Sequence, residues 1–174
     1  MNGKLKPNRS LEELFEYARA MEMEAARRYF QLSDMMAQHN NSELAELFRR
    51  MADIEWVHVY HVGEIRREMG VPESTRRVYP GLGLDGAEVP DPLDMHYLLR
   101  PYHALALARE YEKRAAQFYA ELAESAENED VRLMAQRFAA EEETHIRELE
   151  QWLERYPKPE HGWDEDPDPP NEPE

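Results

Sequence analysis

The sequence predicts an all-α fold, an antiparallel four-helix bundle with a long crossover between its second and third helices. Four stretches repeat apolar residues at alternating steps of four and three, the spacing of a helix with one buried face. The second pair of stretches copies the first. Residues 18, 22, 25, 29 and 32 read Ala, Glu, Ala, Tyr, Leu, and residues 108, 112, 115, 119 and 122 read the same five letters. Between the two pairs, Pro72, Pro80, Gly81, Gly83, Gly86 and Pro90 break any regular pattern.

Each element follows from local signals. Residues 1–9 are an N-terminal extension, and Ser10 with Glu13 reads as a capping box that opens the first helix. Its stripe is Leu11, Phe15, Ala18, Glu22, Ala25, Tyr29, Leu32 and Met36, and the turn after it falls near Ala37 to Asn41. Asn40, Asn41 and Ser42 offer caps for the second stripe, which runs Leu44, Phe48, Met51, Glu55, His58, Val62, Ile65 and Met69. Gly70 and Pro72 stop it. The crossover, residues 71–100, is longer than most loops. A return along a helix of roughly 28 residues spans about 40 Å, however, and some 20 extended residues reach about 66 Å. Asp94 to Leu99 can form a short helix, and Pro101 suits the first turn of the third long one. The third stripe is Leu105, Ala108, Glu112, Ala115, Tyr119, Leu122 and Ala126; the fourth is Val131, Ala135, Phe138, Glu142, His145, Leu149 and Trp152. The bundle thus occupies residues 10–156. Residues 157–174 are a proline-rich acidic tail: from 160 onward there are seven acids, four prolines and no Lys or Arg, a composition expected to be disordered.

Composition narrows the function. A chain of 174 residues is long enough for one real core and short for two domains. Its net charge of −16 argues against nucleic acid, which needs clustered Lys and Arg. No run approaches the roughly 18 apolar residues of a membrane span, and Met1 to Ser10 lacks a signal-peptide core, so the expected location is the cytoplasm. The absence of cysteine excludes disulfides.

The informative residues are the polar ones inside the apolar stripes. Each half contributes one lone glutamate, Glu22 or Glu112, and one Glu-x-x-His, Glu55 with His58 or Glu142 with His145. A glutamate three residues before a histidine puts both on one helix face, about one turn apart. Glu24 and Glu110 lie about 200° around their helices from Glu22 and Glu112 and are expected in solvent. The levels agree as well: Glu22 and Glu55 lie roughly 22 and 21 Å from the turn between them, and Glu112 and Glu142 are about equally far from theirs. One site near mid-bundle follows. Four carboxylates converging there would repel by roughly 4 kcal/mol per pair at 4 Å and an effective dielectric near 20, against a total stability of only about 5–15 kcal/mol. Two divalent cations would neutralise them. Four oxygen donors and two imidazoles suit iron, with manganese the alternative. Without metal, burial and mutual repulsion are expected to raise the pKa values of all four glutamates.

The order Glu, Glu-x-x-His, Glu, Glu-x-x-His on four helices resembles the ferritin-like di-iron carboxylate superfamily, an arrangement long described for such bundles. The flanking Ala and Tyr residues look like its rubrerythrin branch. The resemblance covers about residues 10–156. It implies two iron ions per chain, with Glu22 and Glu112 as terminal ligands, Glu55 and Glu142 as bridges, and His58 and His145 each capping one metal. Tyr29 and Tyr119 would hold carboxylates by hydrogen bonds. It also implies an oxidoreductase that reacts with hydrogen peroxide or dioxygen and is re-reduced by an external electron donor, since this chain lacks the cysteines of a rubredoxin domain. Two alternatives stay open: a ferroxidase that oxidises Fe(II) for storage or transfer, and a bundle that metal only stabilises. Rubrerythrins carry a further glutamate one turn along their third helix, where this chain has Ala108, Arg109, Ala115 and Ala116. Pro157 and Pro159 follow Tyr156 where cage-forming relatives have a fifth helix, which disfavours a cage, and the resemblance to this branch implies a homodimer or another small assembly.

Overall fold

The computed structural model describes residues 11–74 and 99–159. They form four helices: α1 Leu11–Gln38, α2 Ser42–Glu68, α3 Pro101–Ser125 and α4 Glu129–Leu153. The N-terminal extension with its Ser10 cap, most of the crossover with residues 94–98 of the short helix, and the acidic tail from residue 160 lie outside the described residues. No described helix is long and apolar enough to cross a membrane.

The helix ends show how local chemistry sets the frame. Asn41 caps α2 by accepting from the Leu44 amide at 3.1 Å, whereas Asn40 takes a left-handed turn conformation at φ 56° and does not cap. Asn128 caps α4, its side chain accepting from the amides of Asp130 and Val131 at 2.9 and 3.1 Å. Gly70, at φ +67°, provides the left-handed residue that ends α2 at low steric cost. Pro101 opens α3.

Two apolar clusters occupy opposite ends of the bundle. One joins Leu32 and Met36 near the end of α1 to Leu44 and Phe48 at the start of α2, Leu99 just before α3 with Leu105 in its first turns, and Leu149 near the end of α4. The other joins Phe15 of α1, Val62 of α2, Phe118 and Leu122 of α3, and Val131 and Phe138 of α4. These groupings fix the directions. α1 runs antiparallel to α2 and α3, while α2 and α3 run parallel, so the chain from Glu68 to Pro101 must return the length of the bundle. Neighbours are tied across three of the four seams: Ser33 to the Ala45 carbonyl between α1 and α2, the Arg50–Glu148 ion pair between α2 and α4, and Tyr17 on Phe118, 4.8 Å between centroids, between α1 and α3.

The helical stripes drift slightly from the strict seven-residue register. Ala26 and Ala116 are more deeply buried than Ala25 and Ala115, because a straight helix turns 3.6 rather than 3.5 residues and slips about 20° per heptad. Glu24 also departs from expectation. Its side chain is only 13 % exposed, because Arg28 lies over the Tyr111 ring of α3 at 4.4 Å and draws Glu24 toward the α1–α3 seam through a 2.9 Å ion pair. Glu110 is exposed.

The cap on α4 gives a direct test. Replacing Asn128 by Ala should cost about 1 kcal/mol and lower the melting temperature by about 2–4 °C. An unchanged midpoint in thermal denaturation would show that α4 does not depend on this cap.

Candidate metal centre

Between the two apolar clusters lies a polar layer. α1 supplies Glu22, α2 Glu55 and His58, α3 Glu112, and α4 Glu142 and His145; all six are buried, none more than 7 % exposed. They reach the axis because each sits on its helix's core stripe, where a leucine would otherwise be expected. All six residues read from the sequence come together here.

They converge as two overlapping groups. Glu22, Glu55, His58 and Glu142 each offer one donor atom within 4.8 Å of the others, and so do Glu55, Glu112, Glu142 and His145. Glu55 and Glu142 belong to both groups. His58 turns its Nδ1 to the cluster, 3.2 Å from Glu55, 3.5 Å from Glu22 and 3.6 Å from Glu142. His145 does the same, 3.2 Å from Glu142, 3.4 Å from Glu55 and 3.5 Å from Glu112. The two rings lie 5.8 Å apart and nearly parallel, at 15°.

Two tyrosines bind the halves together. The Tyr29 hydroxyl of α1 donates to Glu112 of α3, and the Tyr119 hydroxyl of α3 donates to Glu22 of α1. Both rings are buried, and burial, followed by the neighbouring carboxylates, holds both phenols well above their ordinary pKa. They therefore stay protonated and act as donors. The geometry is reciprocal because each tyrosine lies seven residues after its own half's lone glutamate, and helical side chains lean back toward the N-terminus.

One residue escaped the sequence reading. Glu141 Oε2 lies 2.9 Å from His58 Nε2, so a part-exposed carboxylate of α4 meets the outer nitrogen of the α2 histidine. Carboxylates in this position orient a metal-binding imidazole. The internal repeat could not show it, because the residue preceding Glu55 is Ile54. The acidic run Glu141-Glu142-Glu143 was the available signal, and it reads equally well as a solvated face.

The charge balance differs from a uniform upward shift. Burial first, then the charge of Glu112, raises Glu55 and Glu142 well above the usual carboxylate range. Glu112 moves the other way: burial favours its neutral form, but contacts from Glu142, His145 and Tyr29 outweigh that and lower it. Burial also opposes the charged form of His58, yet the nearby carboxylates of Glu22 and Glu55 win and raise it to about 10. A buried site that cannot hold every negative charge has shared its protons unequally.

The arrangement suits a pair of divalent cations. Glu55 Oε1, Glu142 Oε1 and His58 Nδ1 are buried without an aligned hydrogen-bond partner, and all three belong to residues turned into the cluster. Oxygen and imidazole donors so placed fit two hard or borderline metals.

A family model of the ferritin-like domain matches residues 12–158. The chain belongs to the ferritin-like domain family. Among solved structures it is similar to an uncharacterised conserved protein from Magnetospirillum magnetotacticum, with a TM-score of 0.70 and 35 % identity over 87 % of this chain and 99 % of that one. No curated protein matches. For a ferritin-like domain, the overlapping Glu/His groups are where two metals fit.

The metal-free protein should lose stability as pH rises. Glu55 and Glu142 have raised folded-state values, so their contribution is full below about 4.3 and is lost as pH climbs through the raised values. His58 contributes fully below about 6.5 and loses its share as pH climbs through about 10. Glu112, being lowered, acts in the opposite sense only at acid pH, where its stabilisation disappears as pH falls. Metal displaces the protons and restores stability, as any ligand of the native state does. Thermal melts of metal-free protein should therefore fall in midpoint from about pH 4.3 upward, with His58 adding to the loss from about pH 6.5, while the loaded protein holds steady. Parallel curves for the two forms would contradict a buried charge cluster.

Proposed function

We propose that the protein is a rubrerythrin-like di-iron oxidoreductase that reduces hydrogen peroxide or dioxygen with electrons from an external donor. The observation that carries this reading is the sharing of Glu55 and Glu142 between two Glu/His groups. In it, Glu22, Glu55, His58, Glu112, Glu142 and His145 would hold the two iron ions, Glu55 and Glu142 being common to both groups. When bound, the iron pair supplies the two electrons that reduce peroxide or begin the reduction of dioxygen.

The chain's own groups set the conditions for that chemistry. The two apolar clusters above and below the layer exclude bulk water, which strengthens every charge interaction inside. Tyr29 and Tyr119 hold Glu112 and Glu22 in place through protonated hydroxyls. Glu141 orients His58 from outside. Phe138 stacks on the same ring, 5.5 Å between centroids, and restrains its tilt.

A second reading, a ferroxidase that passes oxidised iron onward, is favoured by the absence of cysteine, which leaves the 174 residues without an iron–sulfur relay of their own. The two readings part on the fate of iron.

Anaerobic loading should give about two iron ions per chain, and Glu142→Ala should weaken retention of the pair by at least about 100-fold. Stopped-flow oxidation of the ferrous protein should be faster with peroxide than with dioxygen, and the iron should remain bound for a second reduction. Iron released after each oxidation would select the ferroxidase; iron that binds and reacts with neither oxidant would leave only a stabilising role.

A further inference from the structure

The two Glu/His groups match in their donors and differ one step further out. His58 Nε2, on the side of the ring away from the cluster, lies 2.9 Å from Glu141 Oε2. The other oxygen of that carboxylate accepts from Arg137 Nε at 2.9 Å, so Glu141 is held at both oxygens. His145 is placed otherwise. Its ion pairs, with Glu142, Glu55 and Glu112, all run through Nδ1, and no carboxylate among the described residues pairs with its Nε2. We propose that Glu141 is a positioning residue that makes the two groups unequal, so that the group containing His58 takes a divalent ion first and holds it more tightly than the group containing His145. The proposal rests on the two-metal reading above.

The internal repeat isolates the difference. Glu141 and Ile54 occupy the same place in it, each immediately before the glutamate of a Glu-x-x-His. α2 and α4 run antiparallel, and the pairs Arg50–Glu148 and His58–Glu141 fix their register. In that register Ile54 stands toward His145 as Glu141 stands toward His58, and an apolar side chain can accept nothing from an imidazole. The rest is closely symmetric. The nearest carboxylates lie 3.2–3.6 Å from Nδ1 of His58 and 3.2–3.5 Å from Nδ1 of His145. Each lone glutamate accepts from a tyrosine of the other half.

A metal needs the lone pair of Nδ1. A carboxylate that accepts from Nε2–H keeps the proton on the outer nitrogen, leaves the Nδ1 lone pair facing the cluster and makes the ring a more basic donor. It also restrains the ring before an ion arrives, so less freedom is lost on binding. His145 has to select its tautomer without such a partner. Loss of an outer partner of this kind weakens metal binding by about 10- to 100-fold, which sets the separation expected between the two groups.

The test titrates the metal-free full chain with Co(II) under anaerobic conditions and follows binding by calorimetry. Wild type should take two ions in two steps whose affinities differ by at least about tenfold. Glu141→Ile, which gives α4 the residue found in α2, should weaken the tighter step by about 10- to 100-fold and leave the two steps nearly equal. Ile54→Glu should strengthen the weaker step. Combining the two substitutions should restore the separation in reverse order, so that His145→Ala then removes the tighter step, whereas in the wild-type background it removes the weaker one. Two equal steps in wild type, or a separation that survives Glu141→Ile, would overturn the proposal while leaving the two-metal reading intact. Wild-type protein that binds no Co(II) would overturn both. Circular dichroism is recorded on every variant, and since Glu141 is 33 % exposed, its replacement decides the matter even where Ile54→Glu does not fold.

Discussion

Charge burial governs this structure. Four carboxylates and two imidazoles occupy the centre of a bundle whose other buried residues, apart from Arg28 and Ser33, are apolar or aromatic, and a stability of about 5–15 kcal/mol leaves little room for unmatched charge. The surrounding features answer to that constraint. The two tyrosines donate into the cluster, the protons are divided so that Glu112 gives way to Glu55 and Glu142, and His58 is biased toward its cationic form. Each of these lowers the repulsion without removing it. Two divalent cations would cancel it outright, which is why a site costly in metal-free form is well suited to metal.

The cluster also organises the packing. It splits the core into two apolar halves, with Phe138 touching both worlds: its ring packs on Tyr119 at 5.1 Å on one side and His58 at 5.5 Å on the other. The layer reaches across all four helices, whereas most apolar contacts lie within one end. Register between the two hairpins is therefore set at the polar layer, where each tyrosine crosses from one hairpin to the glutamate of the other. Directional hydrogen bonds specify a level that greasy contacts alone would let slide.

Much of this was legible in the sequence because it rests on periodicity. The turn before Ser42, the stop near Gly70 and Pro101 as the start of α3 all coincide with local signals, and the six buried polar residues stand out against apolar stripes. What could not be read depends on which groups meet across helices. Glu141 finds His58 only because α4 lies beside α2, and the repeat offered no hint, since Ile54 stands at the equivalent place. Glu24 is drawn inward by Arg28 and Tyr111, a three-residue contact over two helices. The direction of the Glu112 shift turns on which neighbour holds the proton, and spacing along one helix carries no information about that.

A single turn of α2 carries both of the protein's distinctive surfaces. Glu55 and His58 face the cluster, while Trp56 and Val57 face outward between them. The period of 3.6 residues makes this arrangement natural, since positions 55 and 58 lie about 60° apart on one side and 56 and 57 fill the other. Its consequence is mechanical. Any partner that packs on Trp56 and Val57 restrains the same backbone turn that aims the two α2 donors, whereas α4 presents Glu143 and Thr144 to solvent at the equivalent positions. The duplicated ligand pattern therefore sits in two unequal settings. α2 holds its donors between the core and an outer apolar face, with Glu141 of α4 reaching its His58, and α4 holds its own behind exposed Glu143 and Thr144. Sequence symmetry in the candidate ligands does not extend to what supports them, and the two overlapping Glu/His groups are inequivalent in their surroundings even where their donors match.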